Sequence, residues 1–312
     1  MKKIIILISI ITLSAATSYA AGKTIASFQK KQYMFGPDIR FSPDGKTIAF
    51  VAKDGSKYYG PSYLYTASSS KGSFKKTFNE PVNAFVWKSN SEIIYSTSEK
   101  NQVTVRSGSV SSGSGKVIFT KKLQMTGVGY AMSTENYYVM AIAPSGNLML
   151  VEKEKGSCVL VDLGSGKEIQ LQGFTIPYSG NPQSTIQFSG NSRRLVLFDG
   201  KNNIYRIYNV SASGLIQIKE IRKIKNITPG MNYLLNNEGT AIVFTEEKCK
   251  GGCYHIVYTY DIEKDRLFEN ITIRSGQILT VAFNSDFTMA VINDMHRKIQ
   301  VFTLKKTAKE IK

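Results

Sequence analysis

The chain has 312 residues, with 40 Lys or Arg against 23 Asp or Glu for a formal charge of +17, and 42% hydrophobic residues. That composition excludes an intrinsically disordered chain, and the length admits one large domain or two small ones with ample core. Two histidines and three cysteines leave little for metal chemistry or histidine-based catalysis, and the basic excess points either to acidic partners or to a plainly solvated basic surface.

In chain order, the first element is Lys2-Lys3 followed by an apolar run from Ile4 to Ala16 and the small-residue site Ser18-Tyr19-Ala20. This reads as a secretory signal peptide over residues 1–20, because the run is shorter than the ~20 residues a membrane-spanning helix needs. Cleavage after Ala20 would place the product in a bacterial periplasm or outside the cell. The leader takes two lysines with it, leaving +15.

A short strand follows at Thr24–Phe28. Next, Ile39-Arg40-Phe41 and Thr47-Ile48-Ala49-Phe50-Val51 flank the turn Ser42-Pro43-Asp44-Gly45-Lys46. Pro43 pre-sets φ near −65°, Asp44 suits the next turn position and Gly45 supplies a left-handed residue, so the segment predicts a β-hairpin. The pattern recurs at Trp87-Lys88-Ser89-Asn90-Ser91, Met132-Ser133-Thr134-Glu135-Asn136, Phe188-Ser189-Gly190-Asn191-Ser192, Leu235-Asn236-Asn237-Glu238-Gly239 and Phe283-Asn284-Ser285-Asp286-Phe287. The anchors at 41, 87, 132, 188, 235 and 283 lie 46, 45, 56, 47 and 48 residues apart, and the long third interval holds an extra hairpin candidate at Pro144–Asn147. A period near 48 fits a four-stranded propeller blade.

Within the units, further strands read at Tyr63–Thr66, Phe74–Phe78, Asn203–Tyr208 and Tyr254–Tyr260, and no amphipathic helix of useful length is present. Between two of them, Cys249-Lys250-Gly251-Gly252-Cys253 sets two thiols about a Gly-Gly turn, a spacing that predicts a disulfide at a hairpin tip in an oxidising compartment. Cys158, inside Cys158-Val159-Leu160-Val161, reads as a buried small hydrophobe. The last unit carries strands at 277–283, 289–292 and 299–304 but no fourth; the segment around Ile25 is expected to supply it and close the ring. The expected fold is therefore all-β: a single β-propeller over 21–304, of six blades of four antiparallel strands with seven as the alternative, then a basic tail over 305–312.

Phe41-Ser42-Pro43-Asp44-Gly45-Lys46-Thr47-Ile48-Ala49-Phe50 resembles the strand-turn-strand signature of the TolB-like β-propeller repeats, a relative of the WD-repeat class. The rhythm extends over about 24–304, with the other copies degenerate. The resemblance implies a six-bladed periplasmic propeller acting as a protein-interaction scaffold, with an envelope lipoprotein among the partners it brings to mind. The α/β domain that precedes that family's propeller has no counterpart in the few residues between the leader and Phe41.

For sites, the inner strands are expected to begin near Asp38, Asn83, Val128, Ser184, Asn232 and Thr280, making a tunnel mouth. Asp38, Asn83, Ser184, Asn232 and Thr280 are candidate binding residues there, with turn capping as the competing role. One carboxylate in that ring is too few to hold a divalent cation, and no Gly-x-Ser-x-Gly elbow occurs, so no catalytic residue, metal or cofactor is expected. A basic patch is expected from Arg193, Arg194, Arg206, Arg222, Lys223 and Lys225, suited to lipopolysaccharide or another envelope polyanion; export sets nucleic acid aside. The function expected is an exported, non-enzymatic scaffold binding a periplasmic or surface protein, with polyanion binding as the alternative and a propeller hydrolase as the second.

Overall fold

The computed structural model describes residues 23–27 and, apart from short connecting stretches of which 54–59, 127–132 and 175–185 are the longest, residues 39–311. Every regular element among them is a β-strand. The leader expected over 1–20 lies outside the described residues.

The first strand is β1 (Lys23–Ser27). Blade 1 follows with β2 (Ile39–Phe41), β3 (Thr47–Lys53), β4 (Ser62–Ser68) and β5 (Phe74–Lys76). Blade 2 holds β6 (Ala84–Trp87), β7 (Glu92–Glu99), β8 (Gln102–Ser109) and β9 (Lys116–Lys122). A ribbon of β10 (Met125–Thr126) and β11 (Ser133–Thr134) leads to blade 3, with β12 (Tyr138–Ile142), β13 (Leu148–Glu154), β14 (Ser157–Asp162) and β15 (Glu168–Gln170). Blade 4 comprises β16 (Ile186–Phe188), β17 (Arg194–Asp199), β18 (Ile204–Ser211) and β19 (Gly214–Ile221). Blade 5 comprises β20 (Tyr233–Leu235), β21 (Ala241–Cys249), β22 (Cys253–Asp261) and β23 (Arg266–Arg274). Blade 6 comprises β24 (Ile278–Phe283), β25 (Met289–Asp294) and β26 (Lys298–Thr303), and β27 (Lys309–Ile311) ends the chain's regular structure.

The innermost strands β2, β6, β12, β16, β20 and β24 adjoin one another in that order and β24 returns to β2, so the six blades close around an axis. Closure is made as the sequence predicts: β1 pairs antiparallel with β26 and completes the blade β1-β26-β25-β24. Ile25 itself falls at the register shift between Thr24 and Ala26, so its neighbours carry the ladder.

Two features depart from the sequence reading. The third repeat turns at Ala143-Pro144-Ser145-Gly146 and not at Met132–Asn136; Val139, Met140 and Ala141 belong to the innermost strand β12. The inserted ribbon β10–β11 occupies the earlier position, and with Ile142 as anchor the spacings become 46, 55, 46, 47 and 48. Second, the basic tail adds β27 as a fifth strand on blade 5, where Leu267 pairs with Ile311, Phe268 with Glu310 and Glu269 with Lys309.

Burial explains the sequence texture. The second strands of the blades bury apolar residues on both faces, as in Ile48–Ala52 of β3 and Leu195–Phe198 of β17, because each blade is sandwiched between two others. Six apolar clusters fill the six interfaces. For example, Ala49, Val51 and Leu64 of blade 1 meet Phe85, Trp87 and Tyr95 of blade 2, and Phe50 and Tyr65 of blade 1 share a cluster with Val291 and Ile299 of blade 6. Each such side chain stabilises by about 1.5–3 kcal/mol on burial. Outer strands see solvent on one side and read as mixed, as in β9. The glycine-rich tip after β8 is also structural: a Cβ on Gly115 would meet the Tyr95 ring at 2.8 Å, where Tyr95 stacks on Phe78.

Candidate functional site

The chemistry gathers at the end of the axis where the innermost strands finish. In each blade an anchor residue (Phe41, Trp87, Ile142, Phe188, Leu235, Phe283) leads into a tight turn, and the residue four positions later has positive φ in five of the six: Gly45 at 70°, Gly146 at 75°, Ser192 at 61°, Gly239 at 75° and Phe287 at 57°. A buried Ser or Asn just after the anchor holds several of the turns. The hydroxyl of Ser42 accepts the Thr47 N–H at 3.0 Å, that of Ser189 accepts the Arg194 N–H at 3.0 Å, and the Oδ1 of Asn284 accepts the Met289 N–H at 2.6 Å. Ser42 also donates to Asp44 at 2.7 Å, which holds that carboxyl below its usual range.

Neighbouring turns are linked to one another at four of the six blade junctions. Ser285 donates to the Pro43 carbonyl at 3.0 Å, the Asp44 N–H to Asn90 at 2.9 Å, the Ser145 N–H to Ser192 at 3.0 Å, and the Asn191 N–H to the Asn237 carbonyl at 2.9 Å. The contact between blades 4 and 5 is tight enough that a Cβ on Gly190 would overlap Asn237.

Inside this girdle lies a cavity of about 400 Å³, within the range of ligand pockets. The middle residues of five of the innermost strands form its waist: Arg40, Val86, Gln187, Leu234 and Ala282, with Arg40 on blade 1 and Gln187 on blade 4, and blade 3 reaches it with Pro144. Strands such as Ile39-Arg40-Phe41 and Ile186-Gln187-Phe188 bury their outer residues in the interfaces and leave the central one half-buried. Gln187 donates Nε2 to the Tyr233 carbonyl at 2.8 Å, while its buried Oε1 has no partner among the described residues. Trp87, the one tryptophan in the chain, donates Nε1 to the Arg40 carbonyl at 3.2 Å, and the Arg40 guanidinium lies 5.9 Å from the Phe85 ring centre. Burial pushes the Tyr233 phenol far above its usual range against the opposing pull of Arg40. Lys88 and Glu238 add charge nearer the rim. The wall thus offers cation, amide and aromatic surface for a polar segment, with Glu238 as its one carboxylate among the described lining residues.

This is the opposite end from the mouth anticipated in the sequence. Of the residues expected there, Asp38, Ser184 and Asn232, with Val128, lie outside the described residues. Asn83 precedes β6 and caps its own blade, donating Nδ2 to Ser98 at 2.7 Å. Thr280 belongs to β24 and pairs with Asn293. The waist residues were missed, although in two blades, at Ile39-Arg40-Phe41 and Ile186-Gln187-Phe188, a polar residue between two apolar ones directly before the turn is a signal the sequence carries.

Of the four residues of the expected basic patch that are described, three are paired with acceptors or carboxylates. Arg206 bridges Asp199 and Glu220, each at 3.1 Å, and Arg222 meets the same Glu220 at 2.6 Å. Arg194 donates to the Gly239 carbonyl at 2.7 Å and lies 3.4 Å from Glu263. Arg193 is exposed; Lys223 and Lys225 lie outside the described residues. Cys249 and Cys253 are directly opposed at the end of the β21–β22 hairpin. Cys158 is free and buried, with its thiol pushed up to about 12 by burial, as expected of a core residue.

The architecture is that of a six-bladed β-propeller. Among solved structures the chain is similar to TolB from Acinetobacter baumannii, at 12% identity and a TM-score of 0.52, covering 89% of this chain and 66% of that one. It is also similar to the β-propeller domain of Cps50 (Swd1) from Myceliophteria thermophila, at 8% identity and a TM-score of 0.50 over 88% of this chain and all of that one. A chain of a mitotic checkpoint complex matches at 10% identity and a TM-score of 0.50, over 97% and 99% of the two chains. No family model matches the sequence, and no curated protein matches it. At these identities the likeness concerns the fold, and the TolB-like resemblance of the Phe41–Phe50 repeat agrees with it.

Proposed function

We propose that this protein is an exported, non-enzymatic scaffold of the bacterial periplasm or cell envelope that binds a partner protein at the turn-lined end of its axis. The observation that carries this reading is the girdle of interlinked turns around the cavity with Arg40, Gln187 and Trp87 in its wall. A rigid ring of loops around a mixed polar and aromatic recess is suited to recognising another protein's surface. Its neighbours in fold include TolB and a chain named as part of a multi-protein complex, which supports the same class of role. The test is a pull-down from envelope extract at moderate salt, with Trp87 fluorescence as the site-specific readout. Capture of one defined protein that changes the emission supports the reading; turnover of an ester or lactone by the purified protein replaces it with a hydrolase.

Export also makes a disulfide between Cys249 and Cys253 part of this proposal. Thiol titration of unreduced, unfolded protein should find a single thiol, that of Cys158. Polyanion binding is the weaker alternative, since Arg206 and Arg222 spend their charge on Asp199 and Glu220.

A further inference from the structure

Outer strands are where a propeller exposes unpaired backbone, and the blades treat that edge differently. Strands β5 and β15 are three residues each, β9 carries Lys116, Lys121 and Lys122, and β1 is interrupted by a register shift. Short strands and lysines are the usual devices against edge pairing. Strand β23 is covered by the chain's own β27, with Ile311 packed on the core between blades 4 and 5 and Glu310 held by Arg266 at 2.8 and 2.9 Å.

Strand β19 is left more open: its bulge at Ile218 and its one lysine, Lys219, lie towards one end, and no further strand pairs with its edge among the described residues. It is eight residues long, its stretch Gly214-Leu215-Ile216-Gln217-Ile218 is uncharged, and Ile216 is 62% exposed and Ile218 41%. Its relation to β23 can be fixed residue by residue. Both outer strands carry one bulge against their inner neighbour, leaving Ile218 unpaired in blade 4 and Asn270 unpaired in blade 5. Counted from the bulge, Leu215, Ile216 and Gln217 correspond to Leu267, Phe268 and Glu269, the three positions that β27 covers. Among the described residues, blade 4 therefore displays, open, the footprint that blade 5 fills with a strand of its own.

We propose that this edge is an interface with a second copy of the chain, β19 against β19, antiparallel about a two-fold axis through Ile216. The two-fold preserves sheet faces, so Ile216 meets Ile216 of the partner subunit and Leu215 meets Gln217 of the partner subunit, burying the most exposed large apolar side chain among the described residues. The absence of charge in the footprint favours a second copy over an acidic partner, which needs a cation to read. The interface is small and the two chains carry +17 each, so the dimer is weak and strengthens with salt as the repulsion is screened.

Sedimentation velocity on the purified protein tests this. The expected result is a concentration-dependent dimer whose population rises with ionic strength, and an Ile216→Lys variant that dimerises at least about tenfold more weakly with an unchanged melting temperature. If that variant melts early, Ile216→Thr keeps the β-branch and should show the same loss. Val117→Lys on the outer strand of blade 2 should dimerise as wild type. A monomer at every soluble concentration in high salt, an Ile216→Lys chain that dimerises undiminished, or an equal loss in Val117→Lys each overturns the proposal, as does a monomer that instead takes an extended acidic peptide on β19.

Discussion

Blades 1 and 6 adjoin across the closure of the ring and are assembled from different material. Blade 1 is one uninterrupted run of chain, Ile39–Lys76, turning on Pro43-Asp44-Gly45. Blade 6 borrows its outer strand from residues 23–27 and turns on Ser285-Asp286-Phe287, where a bulky residue takes the left-handed conformation that glycine takes in blade 1. The two turns nevertheless have matching backbone shape and lean on each other through the Ser285 to Pro43 hydrogen bond. In blade 6 the shape is over-determined by side chains: Asn284 binds the Met289 N–H, Asp286 accepts from the Thr288 hydroxyl at 2.7 Å, and Phe287 packs on the core between blades 5 and 6. A turn can lose its signature residues when neighbouring hydrogen bonds fix the same dihedrals.

The largest expected effect separates the borrowed strand from the appended one. Deleting residues 21–30 removes β1, exposes β26 as a raw edge, and should lower the melting temperature by roughly 10 °C or more. Removing 309–312 takes away β27, which only adds to a blade already four strands wide, and should cost a few degrees at most. Equal losses in a circular-dichroism melt would break the distinction between closure and decoration. The next effect compares the two turns. Gly45→Ala forces an alanine to a φ of 70° with its Cβ 2.5 Å from the Met289 methyl and 3.2 Å from the Asn284 amide, and should cost about 1–2 kcal/mol in urea denaturation. Phe287→Gly relieves comparable strain but gives up packing, so it should stay within about 1 kcal/mol of wild type.

The same contrast explains what the sequence disclosed. The propeller was legible because turn chemistry recurs at a fixed period, and closure because the last unit lacked a strand that Thr24–Ser27 was able to supply. Blade 3 was misplaced because Ser133–Asn136 imitates a polar turn, while the real turn at Pro144-Ser145-Gly146 follows the inserted ribbon. The strand at Lys309–Ile311 was hidden by its lysine-rich surroundings, since β27 is held by partners distant in sequence, Leu267 and Arg266. The cavity wall escaped notice for a related reason: Arg40 and Gln187 stand far apart in the chain, and only the ring brings them to one waist.

The smallest expected effect concerns a blade away from the seam. His255 on β22 is buried, and its Nε2 lacks a hydrogen-bond partner among the described residues, with the Glu247 carboxylate 3.9 Å away. Burial lowers its pKa, and Glu247 opposes that shift without cancelling it. Below the ordinary histidine value of about 6.5 the unfolded chain is protonated while the folded one is not, so acidification favours unfolding. Stability should therefore fall as pH drops from about 6.5 towards the depressed folded value and level off below it. In His255→Leu that component of the slope should vanish while the acid limb due to carboxylates, such as Asp44, remains. A slope that survives in His255→Leu would assign it to other groups, and a wild-type stability that is flat across this range would show that the imidazole gains a compensating partner on protonation. Blade 5 would then hold its buried polar group as blade 6 holds Phe287, by contacts supplied from its surroundings.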